Sequence, residues 1–179
     1  MSNAPKYKDQ RVAILIDTQN LYHSAKNLYN AKVNFGEIVK YMVAGRSLVR
    51  AIAYVVKSDE PQEAGFFEAL NQLGIELRIK PLQVYAGGFK KGDWDVGMAV
   101  DAIRFSRLVD TLILVTGDGD FIPLVEYLKN QGSQAEVAAF EKTSSQKLKE
   151  VADNFIPLDA ERFLIKAAIK KRPYLPFKR

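Results

Sequence analysis

Three short segments of this chain place aspartates where they could gather a cation. Ile16-Asp17-Thr18-Gln19-Asn20 sets Asp17 directly after the apolar run Val12–Ile16, with an amide three residues on. Thr116-Gly117-Asp118-Gly119-Asp120-Phe121 sets two acids after a second apolar run, Leu112–Val115. Lys90-Lys91-Gly92-Asp93-Trp94-Asp95 supplies a third group, and Asp101 follows it. Clustered carboxylates repel one another unless they are protonated or share a cation. Oxygen donors alone suit Mg²⁺ or Mn²⁺. An ion so held lowers the pKa of an attacking water and neutralises charge on a phosphodiester.

Other chemistries are excluded by composition. There is no cysteine and one histidine, His23, among 179 residues, so thiol nucleophiles, Cys-based zinc sites and iron–sulfur ligation are out. The glycines of Gly117-Asp118-Gly119-Asp120 lack the Lys-Ser/Thr pair of a phosphate-binding P-loop and follow the wrong strand for a dinucleotide fingerprint.

Each acid also has a plainer reading. Asp17 or Thr18 could cap a following helix, and so could Asp120, but Asp118 is not needed as a second cap. Two glycines let the Asp118–Asp120 backbone turn sharply. At about 100° per residue, Val96, Val100 and Ile103 share one helical face, and Asp101 lies about 120° around the axis from Asp95. Asp95, at the helix start beside a loop, therefore ranks first in its segment. Asp93 reads as a solvated loop residue, His23 as a structural histidine and Ser144 as a helix cap that could also line the site.

The elements that must position these acids follow from hydrophobic pattern. Five β-branched apolar runs, Arg11–Ile16, Val49–Val56, Ile75–Ile79, Leu112–Val115 and Ala135–Ala139, alternate with stretches of helical period, with a weaker sixth run at Phe155–Leu158. Helices are expected near 20–30, 35–44, 61–73, 95–108, 121–131, 144–152 and 160–170. Gly74 and Gly132 suit positions just past helix ends. Fully apolar strands argue for a sheet covered on both faces, hence α/β with parallel βα units. In such sheets ligands bind at the carboxyl ends of the strands, where Asp17 and Asp118 fall. The segment from Leu82 to Gly92 has loop composition where a crossover helix is expected.

Net charge is +5, and six of the 26 basic residues lie between Lys166 and Arg179, leaving 20 against 21 acids in the rest. The expected organisation is a polar segment 1–10, one domain over 11–160, and a helix end with a basic tail over 161–179. That tail is either a solubility element or a phosphate-steering one. Its apolar residues Tyr174, Leu175 and Phe177 could dock on the body or on a second copy, leaving a homodimer open. No run is long enough for a signal core or membrane span, so a cytoplasmic location and no membrane partner are expected.

Ile16-Asp17-Thr-Gln-Asn20, Lys91-Gly92-Asp93-Trp94-Asp95-Val96 with Val100-Asp101, and Thr116-Gly117-Asp118-Gly119-Asp120-Phe121 together resemble the NYN domains of the LabA-like group, within the PIN-like nuclease superfamily. The resemblance runs from about Arg11 to Leu158. It implies a Rossmann-like three-layer α/β/α sandwich with a mostly parallel sheet of five to six strands. It also implies a metal-dependent ribonuclease, with Asp17, Asp95, Asp118 and Asp120 as both catalytic and metal-binding acids, Asn20 as the amide of the pocket and Lys91 as its basic neighbour. The expected cofactor is Mg²⁺ or Mn²⁺ and the expected partner RNA. Lys90 and Lys91 could touch phosphates, Trp94, Tyr85 and Phe89 could stack bases, and Asp101 and Ser144 complete the candidate substrate contacts. Two other readings compete: a non-catalytic RNA-binding or regulatory module that retains the acids, and a phosphatase or nucleotide-binding α/β protein. Against the last stands the absence of glycine in Asp17-Thr-Gln-Asn20.

Overall fold

The computed structural model describes residues 7–57, 61, 63–84 and 90–166. The chain runs β1 (Arg11–Asp17), α1 (Thr18–Tyr29), β2 (Ala31–Val33), α2 (Phe35–Val43), β3 (Ser47–Lys57), α3 (Glu63–Gln72), β4 (Glu76–Pro81), and then the short pair β5 (Gln83–Val84) and β6 (Lys90–Lys91). It continues through α4 (Asp95–Ser106), β7 (Thr111–Val115), a 3₁₀ turn at Gly119–Phe121, α5 (Ile122–Asn130) and β8 (Gln134–Ala139). A 3₁₀ turn at Glu141–Thr143, α6 (Gln146–Val151), β9 (Asn154–Pro157), a 3₁₀ turn at Glu161–Phe163 and β10 (Leu164–Lys166) complete the described chain.

Six strands form one parallel sheet in the order β4-β3-β1-β7-β8-β9. The chain therefore winds outward from β1 to one edge, returns, and winds outward to the other. The reversal falls between β1 and β7, and the crevice at their carboxyl ends is where such folds take ligands.

Side chains of β1 show why both faces are covered. Val12, Ile14 and Ile16 enter a core shared with Leu21 and Ala25 of α1, Ile38 and Met42 of α2 and Leu70 of α3. Ala13 and Leu15, on the opposite face, enter a core shared with Met98 and Ala102 of α4, Leu124, Val125 and Leu128 of α5 and Leu148 of α6. Period-two alternation thus buries every residue from Val12 to Ile16, which an unbroken apolar run requires. The result is the expected α/β three-layer sandwich. Among the described residues no helix is long and apolar enough to cross a membrane.

Two expectations are corrected here. The helix expected over 160–170 is, in its described part, a 3₁₀ turn followed by β10, which pairs antiparallel with β2. Phe163, only 1% exposed, anchors that segment, and its carbonyl accepts the Asn34 backbone N–H at 2.8 Å. Burial and edge pairing outweigh the local helical period there, and residues 167–179, including the basic tail, lie outside the described residues. The shared face of Val96, Val100 and Ile103 is a further point the sequence leaves open: the face of α4 turned to the core carries Met98, Ala102 and Phe105, with Ile103 packed beside it, while Val96 is 75% exposed. The helix is apolar on two sides, and periodicity alone does not choose between them. Ser145, rather than Ser144, caps α6, its Oγ accepting the Leu148 N–H.

Candidate metal centre

Asp17 ends β1 and caps α1. Its Oδ1 accepts the Asn20 backbone N–H at 3.0 Å and its Oδ2 accepts the Thr116 hydroxyl at 3.2 Å. The capping role and the site role therefore coincide, because the residue that ends the strand also opens the helix. Burial pushes the Asp17 carboxyl above the ordinary range, the hydrogen bonds from Asn20, Thr116 and Gln19 oppose this, and the Asp118 charge adds to the rise.

After β7, Asp118 opens the 3₁₀ turn by accepting the Asp120 backbone N–H at 3.0 Å. The two flanking glycines serve close packing, since neither has a positive φ. A Cβ on Gly117 would stand 2.7 Å from Ser144 Oγ and 3.1 Å from Ser144 Cα, and one on Gly119 would stand 3.0 Å from Ser145 Oγ. The sharp turn expected of these glycines is a tight seam against the loop that follows β8.

Asp95 is the first residue of α4, whose N-cap, Trp94, makes no side-chain cap bond. Its segment is pinned twice. Trp94 Nε1 donates to the Val55 carbonyl at 2.9 Å, and Lys80 Nζ donates to the Asp93 carbonyl at 2.7 Å while standing 5.5 Å from the Trp94 ring centroid. These bonds tie the start of α4 to the ends of β3 and β4. Burial pushes the Asp95 carboxyl upward, reinforced by the charges of Asp93, Asp118, Asp17 and Asp120.

Asp95, Asp118 and Asp120 each offer a carboxylate oxygen, and these three atoms lie within 4.8 Å of one another. Opposed oxygens on a small hard cation stand about 4.2 Å apart and adjacent ones nearer 3 Å, so this spacing fits one ion after small side-chain adjustment. All donors are oxygen, the set favoured by Mg²⁺ and Mn²⁺. Asp17, Asp95 and Asp118 line a cleft of about 200 Å³ together with Gln19, Asn20, Tyr54, Asp93 and Trp94.

Other expected site residues fall in different places. Asn20 lines the cleft, but its side-chain carbonyl accepts the Gly117 N–H at 2.9 Å, so that oxygen holds the acid loop. Asp101 stands behind the cleft: it accepts the Tyr54 hydroxyl at 3.0 Å and lies 3.6 Å from both Arg78 and Arg104. Ser144 donates to the Phe140 carbonyl at 2.7 Å and packs against Gly117. His23 is exposed and edge-on to Tyr22 at 5.5 Å. The backbone of Lys90 and Lys91 forms β6, while their side chains and the whole of Tyr85 and Phe89 lie outside what is described.

Three further residues line the cleft. Asp93, expected in solvent, is half-buried and lines the cleft. Gln19 sits inside the first acidic segment, and Tyr54 is the register partner of Asp17 on β3. Placing Tyr54 requires the strand pairing, which a lone tyrosine in an apolar run does not reveal.

Comparison with known proteins places the chain in a family. Residues 11–159 match the NYN domain family. The chain is 24% identical over 184 residues to the low amplitude and bright protein LabA of Synechococcus elongatus, covering 94% of this chain and 95% of that protein. It is 32% identical over 171 residues to the uncharacterized protein MJ0482 of Methanocaldococcus jannaschii, covering 92% of this chain but 62% of that longer protein. Among solved structures, a protein of unknown function from Vibrio parahaemolyticus, VPA0982, superposes with a TM-score of 0.82 at 34% identity, covering 90% of this chain and all of that one.

Proposed function

The chain belongs to the NYN domain family, and on that premise we propose that it is a metal-dependent ribonuclease hydrolysing RNA phosphodiester bonds at its four-aspartate cleft. The observation that carries the proposal is the convergence of Asp95, Asp118 and Asp120 oxygens within 4.8 Å, from the start of α4 and the turn after β7.

Asp17, Asp95, Asp118 and Asp120 would hold one or two Mg²⁺ or Mn²⁺ ions, the last three with oxygens already within 4.8 Å of one another. When bound, such an ion lowers the pKa of an attacking water and offsets phosphate charge. Asp17, fastened by Asn20 and Thr116, keeps its carboxylate aimed at the cleft without rotamer freedom. Asn20 fixes the acid loop through Gly117, and Trp94 borders the cleft where an unpaired base can stack. Lys90 and Lys91, on the β6 side, contact the RNA backbone. Asp101 accepts the Tyr54 hydroxyl and Ser144 packs against Gly117, so the proposal gives both a positioning role. All four acids belong to one chain, and the reading needs no second copy. Cytoplasmic RNA is the expected substrate pool.

The test is cleavage of a labelled, partly single-stranded RNA with Mg²⁺, Mn²⁺ or EDTA, beside an Asp118→Asn/Asp120→Asn protein of unchanged melting behaviour. Metal-dependent cleavage that the variant lacks establishes the nuclease. RNA binding without cleavage by either protein assigns the cleft to a regulatory binding module.

A further inference from the structure

Two exposed lysines, Lys142 and Lys147, lie on the segment that packs against the acid loop through Ser144 and Ser145. They belong to the segment that follows β8, the sheet neighbour of β7, whose loop carries Asp118 and Asp120. The two segments are joined: Ser145 N–H donates to the Gly117 carbonyl at 2.9 Å, and Thr143 Oγ1 donates to Ser24 Oγ of α1 at 2.8 Å. Lys142 precedes these contacts by one residue and Lys147 follows them by two. Neighbouring charges are already engaged. Lys149 lies 3.9 Å from Glu141 and 5.7 Å from the Phe155 ring centroid, and Glu150 accepts from Gln146 at 3.0 Å. Neither Lys142 nor Lys147 makes an ion pair with a described residue.

The carboxyl edge of the sheet thus has acids in the middle, at the ends of β1 and β7, and lysines to either side. On the β3–β4 side stand Lys80 and, by backbone position, Lys90 and Lys91. Of these, Lys80 is committed to the Asp93 carbonyl. A polyanion drawn to this edge gains little from the carboxylates, whose charge at best cancels that of bound cations. Its affinity must come from phosphates on the flanks.

We propose that Lys142 and Lys147 form a phosphate-binding subsite for single-stranded RNA running from the cleft across the end of β8. This rests on the reading of the cleft as an RNA site and names where the strand leaves it.

The test is fluorescence anisotropy with a twelve-nucleotide oligouridylate in Ca²⁺, across a KCl series, for the intact protein and Lys142→Ala/Lys147→Ala. Single-strand binding loses about 0.7 in the slope of log affinity against log salt per phosphate contact, so the double variant should flatten the slope by about 1.4. Lys142→Arg/Lys147→Arg should restore it, and Mn²⁺ affinity should stay within about two-fold, because that reports the acid loop. An unchanged slope in the alanine variant overturns the subsite alone. Loss of Mn²⁺ affinity together with RNA binding overturns it in favour of distortion of the acid loop. Failure of the intact protein to bind RNA overturns both the subsite and the reading beneath it. RNA binding with the expected slope change but no cleavage leaves the subsite standing and overturns the nuclease.

Discussion

The side-chain carbonyl of Asn20 accepts the Gly117 N–H at 2.9 Å, so the first turn of α1 holds the loop that follows β7. Because the Asn20 backbone N–H also donates to Asp17, one residue connects the acid of the first strand to the acids of the fourth sheet strand in the chain. Asn20→Ala removes the acceptor and leaves Gly117 N–H without its partner. The expected cost is about 1–2 kcal/mol in denaturant unfolding, with weaker Mn²⁺ binding by titration. Equal Mn²⁺ affinity in the variant would count against the connection.

Gly117→Ala tests the seam between the two loops. A methyl group there meets Ser144 Oγ at 2.7 Å and Ser144 Cα at 3.1 Å, and overpacking of this kind costs about 1–3 kcal/mol. Adding Ser144→Ala removes the nearer contact and should recover part of the loss. A double-mutant cycle with no coupling would show that the loops yield independently.

Far from the cleft, Arg46 and Glu136 form an ion pair at 2.9 Å with side chains 1% and 0% exposed. Gln134 and Asn154 also donate to Glu136, and Arg46 donates to the Met42 and Val43 carbonyls. Arg46→Met strands a buried carboxylate and should cost about 3–5 kcal/mol in unfolding free energy. At temperatures where the variant remains folded, Mn²⁺ affinity should match that of the unmodified chain, since the pair lies toward the amino ends of the strands.

The raised Asp95 carboxyl predicts a pH dependence of stability in EDTA. Its native pKa lies above its unfolded one, so its stabilising contribution is present below the ordinary value of about 3.9 and is lost as pH rises through the native pKa. Asp95→Asn removes that loss. In EDTA the variant should melt above the unmodified protein at pH 8, with the difference closing toward pH 4. Added Mn²⁺ should reverse the order at pH 8, because only the intact trio gains binding free energy. A variant that melts lower at pH 8 in EDTA would contradict the assignment of burial and charge crowding at this residue.

Lys80→Met tests the pin on the segment before α4. Losing the Nζ donor to Asp93 O frees that carbonyl and the cation–π contact with Trp94, a loss of about 1–2 kcal/mol, and should weaken Mn²⁺ binding. Lys80→Arg should recover part of both. Unchanged Mn²⁺ affinity in Lys80→Met would show that Asp95 is placed by α4 alone.

Much of this site is legible in sequence because strand ends announce themselves. Asp17 and Asp118 follow unbroken apolar runs, and a parallel sheet brings such ends to one edge. Asp95 is readable as a helix start after a glycine-rich loop. Tyr54 is not, since a tyrosine in an apolar run carries no chemistry until register places it beside Asp17, and Gln19, though next to Asp17 in sequence, has a type that does not single it out. Glu136 could have been noticed as the lone charge inside Ala135–Ala139, but its partner Arg46 is 90 residues away and only the fold joins them. β10 is illegible for another reason: three residues of helical composition take strand form because β2 offers a free edge and Phe163 a buried anchor.

The strand order has a consequence for how the molecule is assembled. Asp95, Asp118 and Asp120 lie within one stretch of 26 residues, but Asp17 joins them only once β1 has paired with β7. No contiguous fragment short of about a hundred residues carries the full set. Because α4 and the turn after β7 set the spacing of the three carboxylates, an ion bound there favours the folded chain, by an amount that grows as RT ln(1 + [L]/Kd). In a cell with ample Mg²⁺, the ion that the proposed chemistry requires would also act as a global clasp, and depletion of metal would loosen the whole sheet as well as empty the cleft.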